Sequence, residues 1–151
     1  MQLKFKQLDP SAELPRYATD GAACFDIKAL CPSGNKAEGW QKASFSHSMT
    51  FRTGLAVEVP QGHVLMLYSR SGHGFKSDVR LANCVGVIDS DYRGELMVKL
   101  TRDVNEGTFD VNAGDRIVQG MLVPAPQHEL VWADELSDTV RGAGGFGHTG
   151  A

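Results

Sequence analysis

Three short segments place polar and charged side chains in turns between apolar runs, where chemistry can be done at a protein surface. The first, Tyr68-Ser69-Arg70-Ser71-Gly72, sets a guanidinium, a hydroxyl and a glycine amide side by side at a strand end. Such a trio suits phosphate, because Arg grips two oxygens at once while the hydroxyl and backbone N–H take others. By itself Arg-Ser-Gly is also an ordinary turn. The second segment runs from Asn83 to Glu95, where the apolar Val85-Gly86-Val87-Ile88 leads directly into Asp89 and then Tyr92. Asp91 reads as a turn former. Asp89 is expected to be half-buried where the strand leaves the core, and a carboxylate held there can act as general base on a specific water. The third is Gly114-Asp115-Arg116-Ile117-Val118-Gln119-Gly120. Asp115 and Arg116 read as a turn and a charge at a strand start. Gln119 interrupts an otherwise apolar strand, and a buried amide needs partners.

The C-terminal stretch differs in kind. From Ser137 through Arg141 and a run of glycines to Ala151 there is almost nothing to bury. Residues 137–151 are therefore expected to form a flexible arm beyond a domain of residues 1–136. Glycine loops of the Walker and dinucleotide-binding types need a following helix whose N–H groups face the phosphate. Thr149-Gly150-Ala151 supplies none, so neither motif is expected. A bare spacer is one reading of the arm. Arg141 and Phe146 are poor choices for a spacer, but useful against a phosphate and a flat ring.

The elements that must position these residues are strands. Leu96, Val98 and Leu100 alternate with Met97, Lys99 and Thr101, the period of a half-buried strand. Residues 62–68 read as a more fully buried strand, and 51–59 as one that stops at Pro60-Gln61-Gly62. Further strands are expected over 3–8, 24–30, 108–111, 115–123 and 129–132, with at most a short helix around 74–78. The polar segment 32–48 reads as a long hairpin or loop. Many short strands parted by Gly, Pro, Asn and Asp turns predict an all-β fold: a sandwich, jelly roll or closed barrel.

With 151 residues the chain is expected to form one domain. Hydrophobic residues at 42% and charged residues at 22% exclude disorder. No apolar run approaches the ~18 residues of a membrane span, and residues 1–6 lack the apolar stretch of a signal peptide. A soluble, cytoplasmic protein is expected, without a membrane partner. A net charge of -3 argues against bulk attraction to nucleic acid, so an anionic ligand must be held by a local cluster. Cys24, Cys31 and Cys84 match no zinc spacing and read as buried, reduced thiols. His47, His63, His73 and His128 share no metal spacing either, and with Trp40 and Trp132 they read as surface or packing residues.

Taken together and in order, these segments resemble the trimeric deoxyuridine triphosphatase (dUTPase) family. Five motifs carry the resemblance: Pro15-Arg16-Tyr17-Ala18-Thr19-Asp20-Gly21-Ala22-Ala23-Cys24-Phe25-Asp26, then Arg70-Ser71-Gly72, then residues 86–94, then residues 114–119, then Arg141-Gly142-Ala143-Gly144-Gly145-Phe146-Gly147. Any one is weak; five in register span essentially the whole chain. The resemblance implies a distorted jelly-roll or β-clip barrel subunit with a Gly-rich C-terminal arm, in a homotrimer whose active sites lie at subunit contacts. It implies Mg²⁺-assisted hydrolysis of dUTP to dUMP and pyrophosphate by water attack on the α-phosphorus. That reaction limits uracil in DNA and supplies dUMP for dTMP synthesis. By the same resemblance Asp89 orients and deprotonates the water. Arg70, Ser71, Gly72 and Gln119 serve as phosphate donors, joined by Arg141 and Thr149 from the arm, whose Gly147 and His148 also count among the substrate-binding residues. Gly86, Val87, Ile88 and Met97 line the uracil pocket with Asn83 assisting, Tyr92 packs under the deoxyribose, and Phe146 stacks on the base. Asp26 touches the metal only through water, the phosphates holding most of it.

The chain departs from the family pattern in places. Cys24 stands where Gly is usual, Ser69 where Pro is common, and His148 where Ser is frequent; His148 either donates from its ring or faces solvent. Segment 32–48 is longer than the family core requires. Two other readings compete. A dCTP deaminase of the same fold needs a glutamate beside the pyrimidine, and Glu95 is the nearby candidate. Tyr92 and the Phe146 arm point to the hydrolase instead. A non-catalytic nucleotide-binding or regulatory protein predicts a lost catalytic position, yet Asp89, Arg70 and Gln119 are all present.

Overall fold

Alternation decides the layers. The computed structural model describes residues 1–145. In β10 (Glu95–Arg102) Leu96, Val98 and Leu100 are each 1% exposed, while Met97 and Lys99 face outward. β10 pairs antiparallel with β6 (Ser48–Glu58), whose other edge takes β1 (Lys4–Gln7) and β4 (Cys31–Pro32). β8 (Val79–Leu81) pairs with the far end of β10 and completes the first sheet. The second sheet runs β2 (Arg16–Tyr17), β3 (Phe25–Lys28), β12 (Arg116–Pro124), β7 (His63–Tyr68), β9 (Val85–Ile88). A ribbon of β5 (Lys42–Phe45) and β11 (Phe109–Asn112) stands beside them. All pairings are antiparallel, and the chain is all-β of the jelly-roll type. Ile27, Leu65 and Ile117 from one sheet meet Phe51, Val57 and Leu96 from the other, with Phe45 and Val111 of the ribbon in the same core.

One irregularity shapes the first sheet. Between Glu95↔Ala56 and Met97↔Arg52 the register shifts, and β6 bulges at Gly54, which has φ +69. A Cβ there would lie 2.8 Å from Ala12 Cβ and 2.9 Å from Leu30 Cδ2. The carboxylate of Glu95 fastens the bulge, accepting from Gly54 N–H at 2.7 Å and from Arg52 Nε at 3.1 Å.

Several expectations are corrected. Residues 129–132 form no strand: regular pairing ends at Pro124, and Leu130, Val131 and Trp132 are 94%, 74% and 104% exposed. Their alternation is local, but a strand needs a partner, and this segment pairs with no edge among the described residues. β7 is not fully buried. Only Leu65 and Leu67 face the core, because the sheet has a single covered face. Cys31 is buried, and burial pushes its thiol up, but Cys84 is exposed and Cys24 intermediate. Trp40 packs near Phe51, with ring centroids 6.4 Å apart, whereas Trp132 is fully exposed and packs on none of the described residues. The helix following Gly72 exists as α1 (Ser71–Ser77) and starts earlier than expected. Segment 32–48 is neither a hairpin folded on itself nor only a loop: its strand β5 pairs with β11 in the ribbon. No helix among the described residues is long and apolar enough to cross a membrane.

Candidate active site

Sheet register brings distant motifs onto one line. Asp26 of β3 stands opposite Gln119 of β12, Gln119 opposite Tyr68 of β7, and Tyr68 opposite Val85 of β9. Adjacent strands lie about 4.8 Å apart, so the row places the residues that follow Tyr68 beside the Asp26 carboxylate. Arg70 Nε donates to Asp26 Oδ1 at 2.9 Å, and Arg116 Nη1 donates to Oδ2 at 3.1 Å. Arg70 Nη1 also donates to Arg116 O at 3.1 Å, which fixes the fork from a second direction. Two guanidiniums on one carboxylate leave a net positive cluster, the local concentration of charge that an acidic chain needs to hold an anion. Gln119 finds its partner too: Nε2 donates to Ser69 O at 2.9 Å. Ser71 and Gly72 are exposed at the start of α1. Their amides precede the first bonds of that turn, which His73 and Gly74 donate to Arg70 O at 3.1 and 3.2 Å.

The third motif is built on a divergence. β9 belongs to one sheet and β10 to the other, and these consecutive strands do not pair with each other. The carbonyl of Leu96 accepts from Thr53 Oγ1 on β6 at 2.8 Å, while that of Lys99 accepts from Ala82 N–H on the opposite side at 2.9 Å. Alternation therefore turns the peptide groups of Met97 away from β6, toward the open edge. Gly86 is buried against Leu67, whose Cβ would lie 3.0 Å from a Cβ placed there. Val87 and Met97, apolar residues on the two diverging strands, are 58% and 41% exposed. Ile88 is half-buried.

The loop between these strands is internally stapled. Tyr92 O–H donates to Glu95 O at 3.0 Å, and Arg93 Nη1 donates to Ser90 O and Tyr92 O at 2.7 and 2.8 Å. A Cβ at Gly94 would lie 2.6 Å from Tyr92 Cζ, so a side chain there must push the Tyr92 ring off its bond to Glu95 O. Asp89 opens this loop and is exposed, not half-buried. β9 is an edge strand, and none of the described residues covers the residue that follows it. Asp89 lies four residues beyond Val85, about 13 Å along the strand from the Asp26–Gln119–Tyr68 row. One chain thus holds the phosphate-type cluster and the Asp89 carboxylate at opposite ends of β9.

Glu95, the deaminase candidate, is not free for proton transfer. Its side chain is 19% exposed with both oxygens engaged, and it holds the Arg52 guanidinium above its ordinary value. Arg141 is exposed and its Nε donates to Gly144 O at 2.8 Å, within its own turn. Phe146, Gly147, His148 and Thr149 lie outside the described residues. Sequence reasoning took Arg116 as a plain strand-start charge and missed its bond to Asp26. Only the pairing of β3 with β12 could have revealed it. No group of three or more His, Cys, Asp or Glu among the described residues could hold a metal ion. Asp26 keeps spare lone pairs beyond its two Arg contacts, which fits contact with a metal through water but not a cage of protein ligands.

The dUTPase family model matches residues 10–150. The deoxyuridine 5'-triphosphate nucleotidohydrolase of Nautilia profundicola is 40% identical over 155 residues, covering 99% of both chains. That of Acinetobacter baumannii is 39% identical with the same coverage. A dUTPase of Staphylococcus bacteriophage 80alpha, solved with dUpNHpp, is similar in structure with a TM-score of 0.84 at 26% identity, covering 99% of each chain. The chain therefore belongs to the dUTPase family.

Proposed function

We propose that this chain hydrolyses dUTP to dUMP and pyrophosphate by water attack on the α-phosphorus, with Asp89 orienting the water and taking its proton. Arg70, the hydroxyl and amide of the Ser71-Gly72 turn, and Gln119 hold the phosphate oxygens. The open strand edges of β9 and β10, with Asn83 beside them, take the uracil, and Tyr92 packs beneath the deoxyribose. The observation that carries this reading is the row joining Asp26, Gln119 and Tyr68. It gathers the Arg70 turn into a cationic cluster in an otherwise acidic protein. Positioned proton transfer contributes about 10²–10⁴ in rate, so fixed donors at the phosphates must supply much of the remainder. Mg²⁺, carried on the triphosphate and touched by Asp26 through water, would add charge neutralisation there.

The distance between Asp89 and the Arg70 cluster within one chain favours a site shared between copies, one supplying the carboxylate and another the phosphate donors. A homotrimer satisfies this. It also offers cover for Leu130, Val131 and Trp132, which the single chain leaves exposed. Residues 137–151 then act as the arm that brings Arg141, Phe146, Gly147, His148 and Thr149 over the nucleotide, in the cytoplasm where dUTP arises.

The test is pyrophosphate release with Mg²⁺ from dUTP, dTTP, dCTP and UTP offered separately, for wild type and Asp89→Asn. Release from dUTP alone, lost in the variant without loss of fold, supports the reading. Equal release from dTTP or UTP refutes the base and sugar pocket, and full activity of Asp89→Asn refutes the base.

A further inference from the structure

The turn that presents Asn83 is strained. Val85 N–H donates to Asn83 O at 2.7 Å across Cys84, a non-glycine residue at φ 63. An i→i+2 bond closed over a positive φ describes the rare, unfavourable hand of γ-turn. Such a conformation persists only where its surroundings over-determine it. Arg80, on β8, supplies much of that constraint. Its Nη1 donates to Leu81 O at 3.1 Å and Ala82 O at 3.5 Å, and lies 3.9 Å from Cys84 Sγ. The guanidinium is anchored from behind, Nε facing both carboxylate oxygens of Asp103 at 3.1 and 2.9 Å. From the other side Leu81 N–H donates to Ser69 Oγ at 2.9 Å, tying the turn to the residue whose carbonyl holds Gln119.

We infer that Arg80, locked by Asp103, is a positioning residue for pyrimidine recognition: it holds the strained Asn83–Cys84 turn so that Asn83 meets the base in a fixed orientation. The inference rests on the placement of uracil at Asn83 proposed above. Only a forked, planar cation can reach successive carbonyls and the carboxylate together. A lysine keeps the charge and the partner Asp103 but not the brace. Removing the brace therefore loosens the base end of the nucleotide and leaves the phosphate end alone.

The experiment compares wild type with Arg80→Leu, Arg80→Lys and Asp103→Asn, measuring KM and kcat for dUTP and inhibition by pyrophosphate, with thermal melting as a fold check. In both Arg80 variants KM for dUTP is expected to rise about tenfold, the scale of one lost charge-assisted hydrogen bond. kcat should stay within about twofold, and pyrophosphate inhibition should not change. Asp103→Asn, a surface change that leaves Arg80 in place, should show a smaller rise in KM of the same pattern. An unchanged KM overturns the inference. So does pyrophosphate inhibition weakening in step with KM, and so does Arg80→Lys behaving as wild type. Inactive wild-type protein would instead refute the proposed function itself.

Discussion

Glu95 offers a sharp separation of structure from catalysis. Replacing it by Gln keeps the shape and removes the charge. The carboxamide oxygen can still accept from Gly54 N–H, now 2.7 Å from Glu95 Oε1, but its NH₂ then faces Arg52 Nε–H, where Oε2 stood at 3.1 Å. Two donors would point at each other beside a side chain only 19% exposed. One charge-assisted hydrogen bond is lost outright and a second weakened to a neutral one, together about 2 kcal/mol. For a domain of this length each kcal/mol moves Tm by roughly 2–4 °C, so the melting temperature should fall by roughly 4–8 °C. Pyrophosphate release from dUTP, assayed well below that melting point, should keep kcat within about threefold. A hundredfold loss of kcat with an unchanged Tm would refute this reasoning, because it would mean the carboxylate acts on substrate rather than on the β6 bulge.

Two further outcomes follow from the packing. Gly120→Ala would put a Cβ 2.7 Å from Phe25 Cε2 and 3.2 Å from Leu65 Cδ1; overpacking of this kind costs about 1–3 kcal/mol. Displacement of β12 beside Gln119 should raise KM for dUTP along with a lower Tm, and an unshifted Tm would show that the sheet absorbs the methyl. His73 packs edge-on against Phe109 with ring centroids 5.2 Å apart, and its Nδ1 is buried without a partner among the described residues. Burial and then the neighbouring Arg70 charge hold it below its usual 6.5, against weaker opposite pulls from Asp115 and Asp26. The folded protein therefore binds fewer protons than the unfolded chain in that window. Stability contributed at neutral pH is lost as pH falls from about 6.5 through the depressed value. Thermal melts of wild type and His73→Leu between pH 7.5 and 5.5 check this: the variant should show the shallower decline, and parallel curves would assign the slope elsewhere.

What could be read from the sequence was what depends on neighbours in the chain. The inward set Leu96, Val98 and Leu100 follows from a period of two, and the need of Gln119 for a partner follows from one amide in an apolar run. The bond between Asp26 and Arg70 spans 44 residues, and that between Asp26 and Arg116 spans 90. No spacing rule reaches across such gaps, because strand order decides them. The same limit explains residues 129–132: alternation proposes a strand, but only an available edge makes one. It also explains Asp89. Its position after Val87-Ile88 located the strand end correctly, yet its burial depends on what packs over β9, which lies beyond its own sheet. Arg80 and Asp103 carry no motif at all. Their importance comes from a backbone angle at Cys84.

The parting of β9 from β10 has a consequence for how this protein can change over generations. Every residue type except proline carries the same N–H and C=O. If the base is read by those groups as proposed, the reading cannot be edited by ordinary point substitution at Val85, Val87, Ile88 or Met97; a new side chain there alters the rim and leaves the donors and acceptors in place. Outside Asn83, altered base preference would then have to arise by insertion, deletion or a slipped pairing, each of which disturbs Leu65, Leu67 and the core behind them. An inhibitor shaped to the same main-chain groups would meet few single-codon escapes, and those few would cluster at side chains such as Asn83 and Tyr92.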